Sequence, residues 1–226
     1  MRPAIRPRPS PNHDSRKGRA IDMIVLHYTG MIGAAESLER LCDPAAKVSA
    51  HYLIDEDGMV YSLVPEERRA WHAGVAFWSG ESDINAISVG IELQNPGHEH
   101  GYRAFPDVQI EALISLLDGI RSRHAVPDAR IVGHSDVAPA RKEDPGELFP
   151  WARLAAAGHG LWPEMEAAAI PVEDAAAALA RLGYACSGSE GGELEAALLA
   201  FQRHFLPGHL TASADPPTLR RLGQFY

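Results

Sequence analysis

Three side chains in this sequence have the types and the settings of a metal site. His27 closes the apolar run IDMIVLHY, His134 directly follows the short run RIVG, and Asp144 lies in the loop beyond it, HSDVAPARKEDPG. Two imidazoles and a carboxylate suit zinc, and a set of three leaves the fourth tetrahedral position for water, as catalytic sites do. Spacing alone is a weak signal here. The chain holds 11 histidines, and a histidine beside a strand more often serves packing than ligation. The loop adds Lys142 shortly before Asp144, with Pro139 and Pro145 stiffening the backbone that carries both.

Side chains so distant in sequence meet only if a sheet brings their strands together. IDMIVLHY (21–28) reads as a strand buried on both faces. In AISVGIELQ (86–94), Ile87, Val89, Ile91 and Leu93 alternate with Ser88, Gly90, Glu92 and Gln94, which puts Glu92 on one face with Gly90 and leaves space beside it. VSAHYLID, DEDG and MVYSLV form a hairpin that turns at Gly58, and RIVG (130–133) is the last short strand. AAESLERLC (34–42) is a short helix stopped by Asp43-Pro44. Residues 105–125 carry Ile110, Leu113, Ile114 and Leu117 at helical spacing and should pack across the sheet. This pattern predicts an α/β (α+β) domain over 21–165, a central mixed β-sheet flanked by helices, preceded by an extended arm over 1–20. Beyond Trp162-Pro163, EDAAAALARLGY, ELEAALLAFQRHF and PPTLRRLGQFY predict a small three-helix domain over 166–226.

The motifs VLHYTG, SAHYLI, WHAG, VGIELQN and HSDVAPARKEDPGELFPW occur in that order between about Pro9 and Pro163. Together they closely resemble the zinc-dependent N-acetylmuramoyl-L-alanine amidases of the AmpD/AmiD type. The resemblance implies one zinc per chain on His27, His134 and Asp144, with Glu92 as the acid/base carboxylate and Lys142 assisting at the substrate carbonyl. It implies muropeptides or peptidoglycan fragments as partners, and hydrolysis between the lactyl group of (1,6-anhydro-)N-acetylmuramic acid and L-alanine in peptidoglycan recycling. By their motif positions, Tyr28, Trp71, Asn85, Asn95 and Arg141 become expected substrate contacts. His72 of WHAG is open between substrate contact and structure. The C-terminal helices resemble the peptidoglycan-binding domains that follow some AmiD-type enzymes, against the alternative of a cap that only stabilises the catalytic domain. One departure stands out: relatives often show Arg-x-Asn-Asp before the Glu92 strand, whereas this chain has Asp83-Ile84-Asn85-Ala86.

Other tempting residues have plainer readings. His51 should be a packed, hydrogen-bonded side chain, His98, His100 and His124 solvated, and the acidic turn at 55–57 a hairpin tip. Cys42 and Cys186 are expected to be reduced small apolar residues. A net charge of -9 argues against a nucleic-acid partner, and no apolar stretch approaches the roughly 20 residues of a membrane span. The basic arm lacks the apolar core of a secretory leader and a lipid-bearing cysteine. A cytoplasmic place is therefore expected, with the periplasm or outer membrane as the alternative. The competing functions are a catalytically silent fragment-binding or sensing protein, which typically lacks a zinc ligand, and a zinc hydrolase of an unrelated amide, which leaves the motif string unexplained.

Overall fold

The computed structural model describes residues 5–164, 167–186 and 191–225. Eight strands appear among them: β1 (Ile5–Pro7), β2 (His13–Ser15), β3 (Met23–Tyr28), β4 (Tyr52–Ile54), β5 (Val60–Ser62), β6 (Arg68–Ala70), β7 (Ser88–Leu93) and β8 (Ile131–Gly133). Six form one sheet in the order β1-β5-β4-β7-β3-β8. The β4–β5 hairpin is antiparallel, while β4–β7, β7–β3, β3–β8 and β1–β5 are parallel, so the sheet is mixed as expected. Parallel neighbours need crossover connections, and the helices Ala34–Cys42 and Asp107–Arg121 lie in two of them.

The central strands are buried on both sides, and their alternation divides the core in two. Ile24, Leu26, Val89, Ile91 and Leu93 pack against Ile110, Leu113, Leu116, Leu117 and Ile120 of the helix Asp107–Arg121. Ile114, expected on that apolar side, is only partly buried there. Met23, Val25 and Val132 face the other way, into a cluster with Ala175, Leu179, Tyr184, Phe201 and Phe205 from the C-terminal segment. That segment does form three helices, Ala175–Leu182, Gly191–Phe205 and Pro216–Gly223. They share one continuous hydrophobic core with the sheet. A polar anchor joins the two parts as well: Tyr184 Oη donates to Asp136 Oδ1 at 2.6 Å, and His204 Nδ1 lies 2.8 Å from Asp136 Oδ2. Asp136 also accepts the Gly133 N–H at 2.7 Å, so the C-terminal helices brace the short turn that carries His134.

The basic arm is extended but far from free. Its β1 pairs with β5 at the sheet edge and its β2 pairs with β6. Arg16 is 5% exposed and donates to the carbonyls of Glu66 (2.7 Å), Asn85 (3.1 Å), Ala86 (2.8 Å) and Ser88 (2.7 Å). Burial lowers its pKa to about 10, which leaves it protonated at neutral pH. A planar guanidinium can serve several fixed acceptors at once, whereas an ammonium has three donors on a point charge. Among the described residues no helix is long and apolar enough to cross a membrane. Arg16→Ala should leave several buried carbonyls without a donor and cost on the order of 3 kcal/mol or more. Urea denaturation should show a lower midpoint, with Arg16→Lys recovering only part of the loss.

Candidate metal centre and catalytic cleft

The site grows out of strand register. Pairing of β3 with β7 sets His27 opposite Glu92, and pairing of β3 with β8 sets Leu26 opposite Gly133, so His134 emerges beside His27. All three strands run parallel, so their C-terminal ends form one rim, where ligand sites of open α/β sheets gather. Asp144 returns to that rim because its carbonyl accepts the Ser135 N–H at 2.8 Å. Pro145, joined to Asp144 through a cis peptide, packs where only Gly133 leaves room, since a Cβ there would lie 2.7 Å from the proline Cδ.

His27 Nδ1, His134 Nδ1 and Asp144 Oδ2 lie 3.0, 3.1 and 3.1 Å from one another. The triangle is small enough for a single ion bonded at about 2.0–2.2 Å to each atom. His134 Nε2 is 3.0 Å from the Ala73 carbonyl, which can only accept, so the proton sits on Nε2 and the Nδ1 lone pair points into the triangle. Burial, then the neighbouring His134, lowers the His27 pKa to about 4, so its ring is neutral and able to ligate. Burial opposes ionisation of Asp144, but His134 and His27 outweigh it and hold the carboxyl well below the usual range. Two imidazole nitrogens and one carboxylate oxygen converging at this spacing fit a divalent cation of zinc type.

These atoms line a cleft of about 580 Å³ together with Tyr28, His72, Glu92, Arg141 and Lys142. Glu92 is 9% exposed, and its Oε2 has no hydrogen-bond partner among the described residues. Burial, then the Asp144 charge, pushes the Glu92 carboxyl well above its usual range, with Lys142 opposing. A carboxylate that holds a proton readily and has an uncommitted oxygen is equipped for proton transfer.

The remaining expected contacts divide. Tyr28 and Arg141 line the cleft. Arg141 also donates to the carbonyls of Ala73 (2.6 Å) and Val75 (2.8 Å), fastening that loop over His134. Trp71, Asn85 and Asn95 are not among the cleft-lining residues. Asn85 Oδ1 accepts the backbone N–H groups of His72 and Ala73, Asn95 spans Arg103 O and Gly97 N, and the Trp71 N–H donates to Ser49 Oγ. The side-chain amides of Asn85 and Asn95 are occupied in holding loops, and the Trp71 bond is made by its backbone N–H. Asp83, at the position where relatives often have arginine, pairs with Arg69 at 2.9 Å.

Three of the plainer histidine readings need comment. His51 is fully buried and accepts the Gly90 N–H at 2.9 Å, as a packed side chain should. His98 is only partly exposed and is held by neighbours: its Nδ1 meets Tyr28 Oη at 2.9 Å, its ring stacks on Tyr102 at 4.2 Å, and its Nε2 approaches Glu147 at 3.2 Å. His124 likewise pairs with the buried Glu66 at 2.7 Å. Sequence reasoning missed His98 as a cleft residue, although the glycine-flanked PGHEHG that follows the Glu92 strand is a signal for a built loop. Gly97, at φ +70, could have supplied it, because a Cβ there would strike the Tyr28 ring at 2.7 Å. Arg40 also lines the cleft, from the helix Ala34–Cys42, and no local pattern marks it.

Known proteins repeat both the sequence and the fold. Residues 17–147 match the N-acetylmuramoyl-L-alanine amidase family. The chain is 36% identical over 222 residues to N-acetylmuramoyl-L-alanine amidase AmiD of Escherichia coli K12, covering 88% of this chain and 79% of that protein. It is 39% identical over 110 residues to 1,6-anhydro-N-acetylmuramyl-L-alanine amidase AmpD of Citrobacter freundii, covering 49% of this chain and 57% of that protein. The Escherichia coli AmiD structure in complex with the substrate anhydro-N-acetylmuramic acid-L-Ala-D-gamma-Glu-L-Lys superposes with a TM-score of 0.80 at 33% identity, over 93% of this chain and 88% of that one. AmpDh3 of Pseudomonas aeruginosa gives 0.81 at 32% identity, over 89% of each. With the family match, the shared identity and the superposed folds in agreement, the chain belongs to the N-acetylmuramoyl-L-alanine amidase family and is an amidase of the AmiD/AmpD type.

Proposed function

We propose that this amidase, acting in peptidoglycan recycling, uses one zinc ion on His27, His134 and Asp144 to cut soluble anhydro-muropeptides between the lactyl carbonyl and L-alanine. The observation that carries this reading is the juxtaposition on one cleft floor of the three converging ligand atoms and a buried carboxylate with an uncommitted oxygen. Zinc, when bound, supplies Lewis acidity that makes water nucleophilic near neutral pH. Glu92 takes the proton of the attacking water and later gives it to the leaving amine. A C–O bond forms as the C–N bond breaks, and the products are the lactyl carboxylate and the free amino group of L-alanine. Lys142, on the loop that ends in Asp144, sets its ammonium toward the carbonyl oxygen as negative charge develops there. Tyr28 and Arg141 form cleft walls against the substrate. His27, His134 and Asp144 are all in place, which favours the enzyme over a silent fragment-binding protein.

The C-terminal helices act as a brace for the His134 turn through Asp136. The place of action in this reading is the cytoplasm, where released fragments are reused. Fractionation of cells expressing the complete native reading frame tests it, and recovery from the periplasm or outer membrane would move the enzyme to the wall. Substrate choice is tested by mass spectrometry of products from anhydro-muropeptide, reducing muropeptide and intact sacculus side by side. Fastest release of peptide from the anhydro form is expected, and equal or faster attack on sacculus would overturn the recycling role.

Elemental analysis should give about one zinc per chain, the number an open three-ligand site requires. Exhaustive chelation should abolish turnover and zinc should restore it; full activity without metal would end the metal reading.

Glu92→Gln should keep zinc but lose roughly 10²- to 10⁴-fold in turnover. It should also make the metal-free protein more stable than wild type at neutral pH. The native carboxyl binds its proton more tightly than the unfolded one does, so its ionisation weakens the fold as pH rises above the unfolded pKa of about 4.5. The stability difference should therefore shrink as pH falls towards that value, which chemical denaturation at several pH values will read.

Lys142→Ala should lower kcat more than it raises KM, because a cation facing the developing oxyanion acts mainly in the transition state. Steady-state kinetics decides this, and a pure KM effect would make Lys142 a ground-state clamp.

A further inference from the structure

One buried imidazole has no part in the chemistry described so far. His72 lies with Nδ1 3.1 Å from His27 Nε2 and Nε2 3.1 Å from Ser88 Oγ. Its ring crosses directly over Gly90, where even a Cβ would come within 2.4 Å of the His72 Cγ, so the space expected beside Glu92 is filled by this histidine. The direction of each hydrogen bond follows from its far end. The Ile84 carbonyl can only accept, so Ser88 Oγ, 2.6 Å away, commits its single hydrogen there. Ser88 must then accept from His72 Nε2–H. Among the described residues the two ring nitrogens of His72 face only His27 and Ser88, with no carboxylate among their partners to hold a second proton, and such an imidazole has one N–H. Its Nδ1 is consequently an acceptor, which takes the proton of His27 Nε2–H. That leaves the lone pair of His27 on Nδ1, the atom 3.0 Å from His134 Nδ1 and 3.1 Å from Asp144 Oδ2.

The opposite setting is available to the same atoms. With the proton on His27 Nδ1, the ring would donate to Asp144 and block its own ligand atom. We propose that Ser88 and His72 form a relay that presets the tautomer of His27 for metal binding, with His72 a positioning residue and not a substrate contact. The proposal rests on the zinc site of the preceding section. It also assigns three successive positions on one face of β7: Ser88 sets the proton, Gly90 makes room for the ring, and Glu92 performs the chemistry.

The test combines zinc affinity, measured by competition against a chromophoric chelator, with ¹⁵N NMR of the histidine rings in metal-free protein. Wild type should show His27 as the Nε2–H tautomer. His72→Leu removes the acceptor and should weaken zinc about 10- to 100-fold, the usual cost of losing a partner of a ligating histidine. His72→Asn returns an amide oxygen close to the position of Nδ1 and should recover most of that loss. Ser88→Ala touches no ligand, yet it frees His72 to reverse, so it should shift His27 towards the Nδ1–H form and weaken zinc. If His72→Leu fails to fold, Ser88→Ala decides alone. Unchanged affinity and tautomer in Ser88→Ala, or equal losses in His72→Asn and a folded His72→Leu, would overturn the relay. A wild type that binds no zinc would instead overturn the metal site itself.

Discussion

Everything at this site depends on the parallel pairing of β3 with β7 on one side and β8 on the other. Because side chains alternate along a strand, a slip of one residue in either ladder would turn a whole set to the opposite face. The observed register puts Val25 beside Gly90 and His27 beside Glu92, so this imidazole and this carboxylate share a face one strand apart. The same strands present Ile24, Leu26, Val89 and Ile91 to the helix Asp107–Arg121. Burial of those apolar residues therefore fixes the register on which the polar constellation depends. The hydrophobic effect specifies the catalytic geometry indirectly, by penalising every other alignment.

A polar site so deep in the protein needs partners, and the surrounding layers supply most of them. Arg16 from the arm satisfies carbonyls beneath the Ser88 strand, and His51 receives the Gly90 N–H. Asn85 holds the loop of His72, while Arg141 and His134 share the carbonyl of Ala73. On the far side Asp136 ties Gly133 to Tyr184 and His204, which makes the C-terminal helices part of the same support. Buried networks of this kind are costly when incomplete and rigid when satisfied. Several buried polar atoms lack a partner among the described residues, and of these Glu92 Oε2 is the one that lines the cleft. A buried carboxylate oxygen left free beside the three converging ligand atoms is where proton chemistry is expected.

The sequence by itself determined the parts with strong local signals. Alternation in AISVGIELQ placed Glu92 on the face of Gly90, and the apolar runs ending in His27 and preceding His134 became the central strands, because a buried strand needs such composition whatever its neighbours. The hairpin at Gly58, the helix 34–42 and the three C-terminal helices were legible for the same reason, and the motif string carried the family. Only the tertiary structure decided which polar residues face the cleft. Asn85 and Asn95 sit within cleft motifs yet spend their side-chain hydrogen bonds on backbone, since a side-chain amide is as useful for fixing a loop as for touching a ligand. Arg16 was legible only as part of an extended basic arm, and no local pattern could reveal the carbonyls it serves, contributed by Glu66, Asn85, Ala86 and Ser88. His72 was open between substrate and structure until its two nitrogens had identified neighbours, because the role of an imidazole is set by what lies at each end of the ring. Those neighbours, His27 and Ser88, come from two different strands, and only folding brings them together.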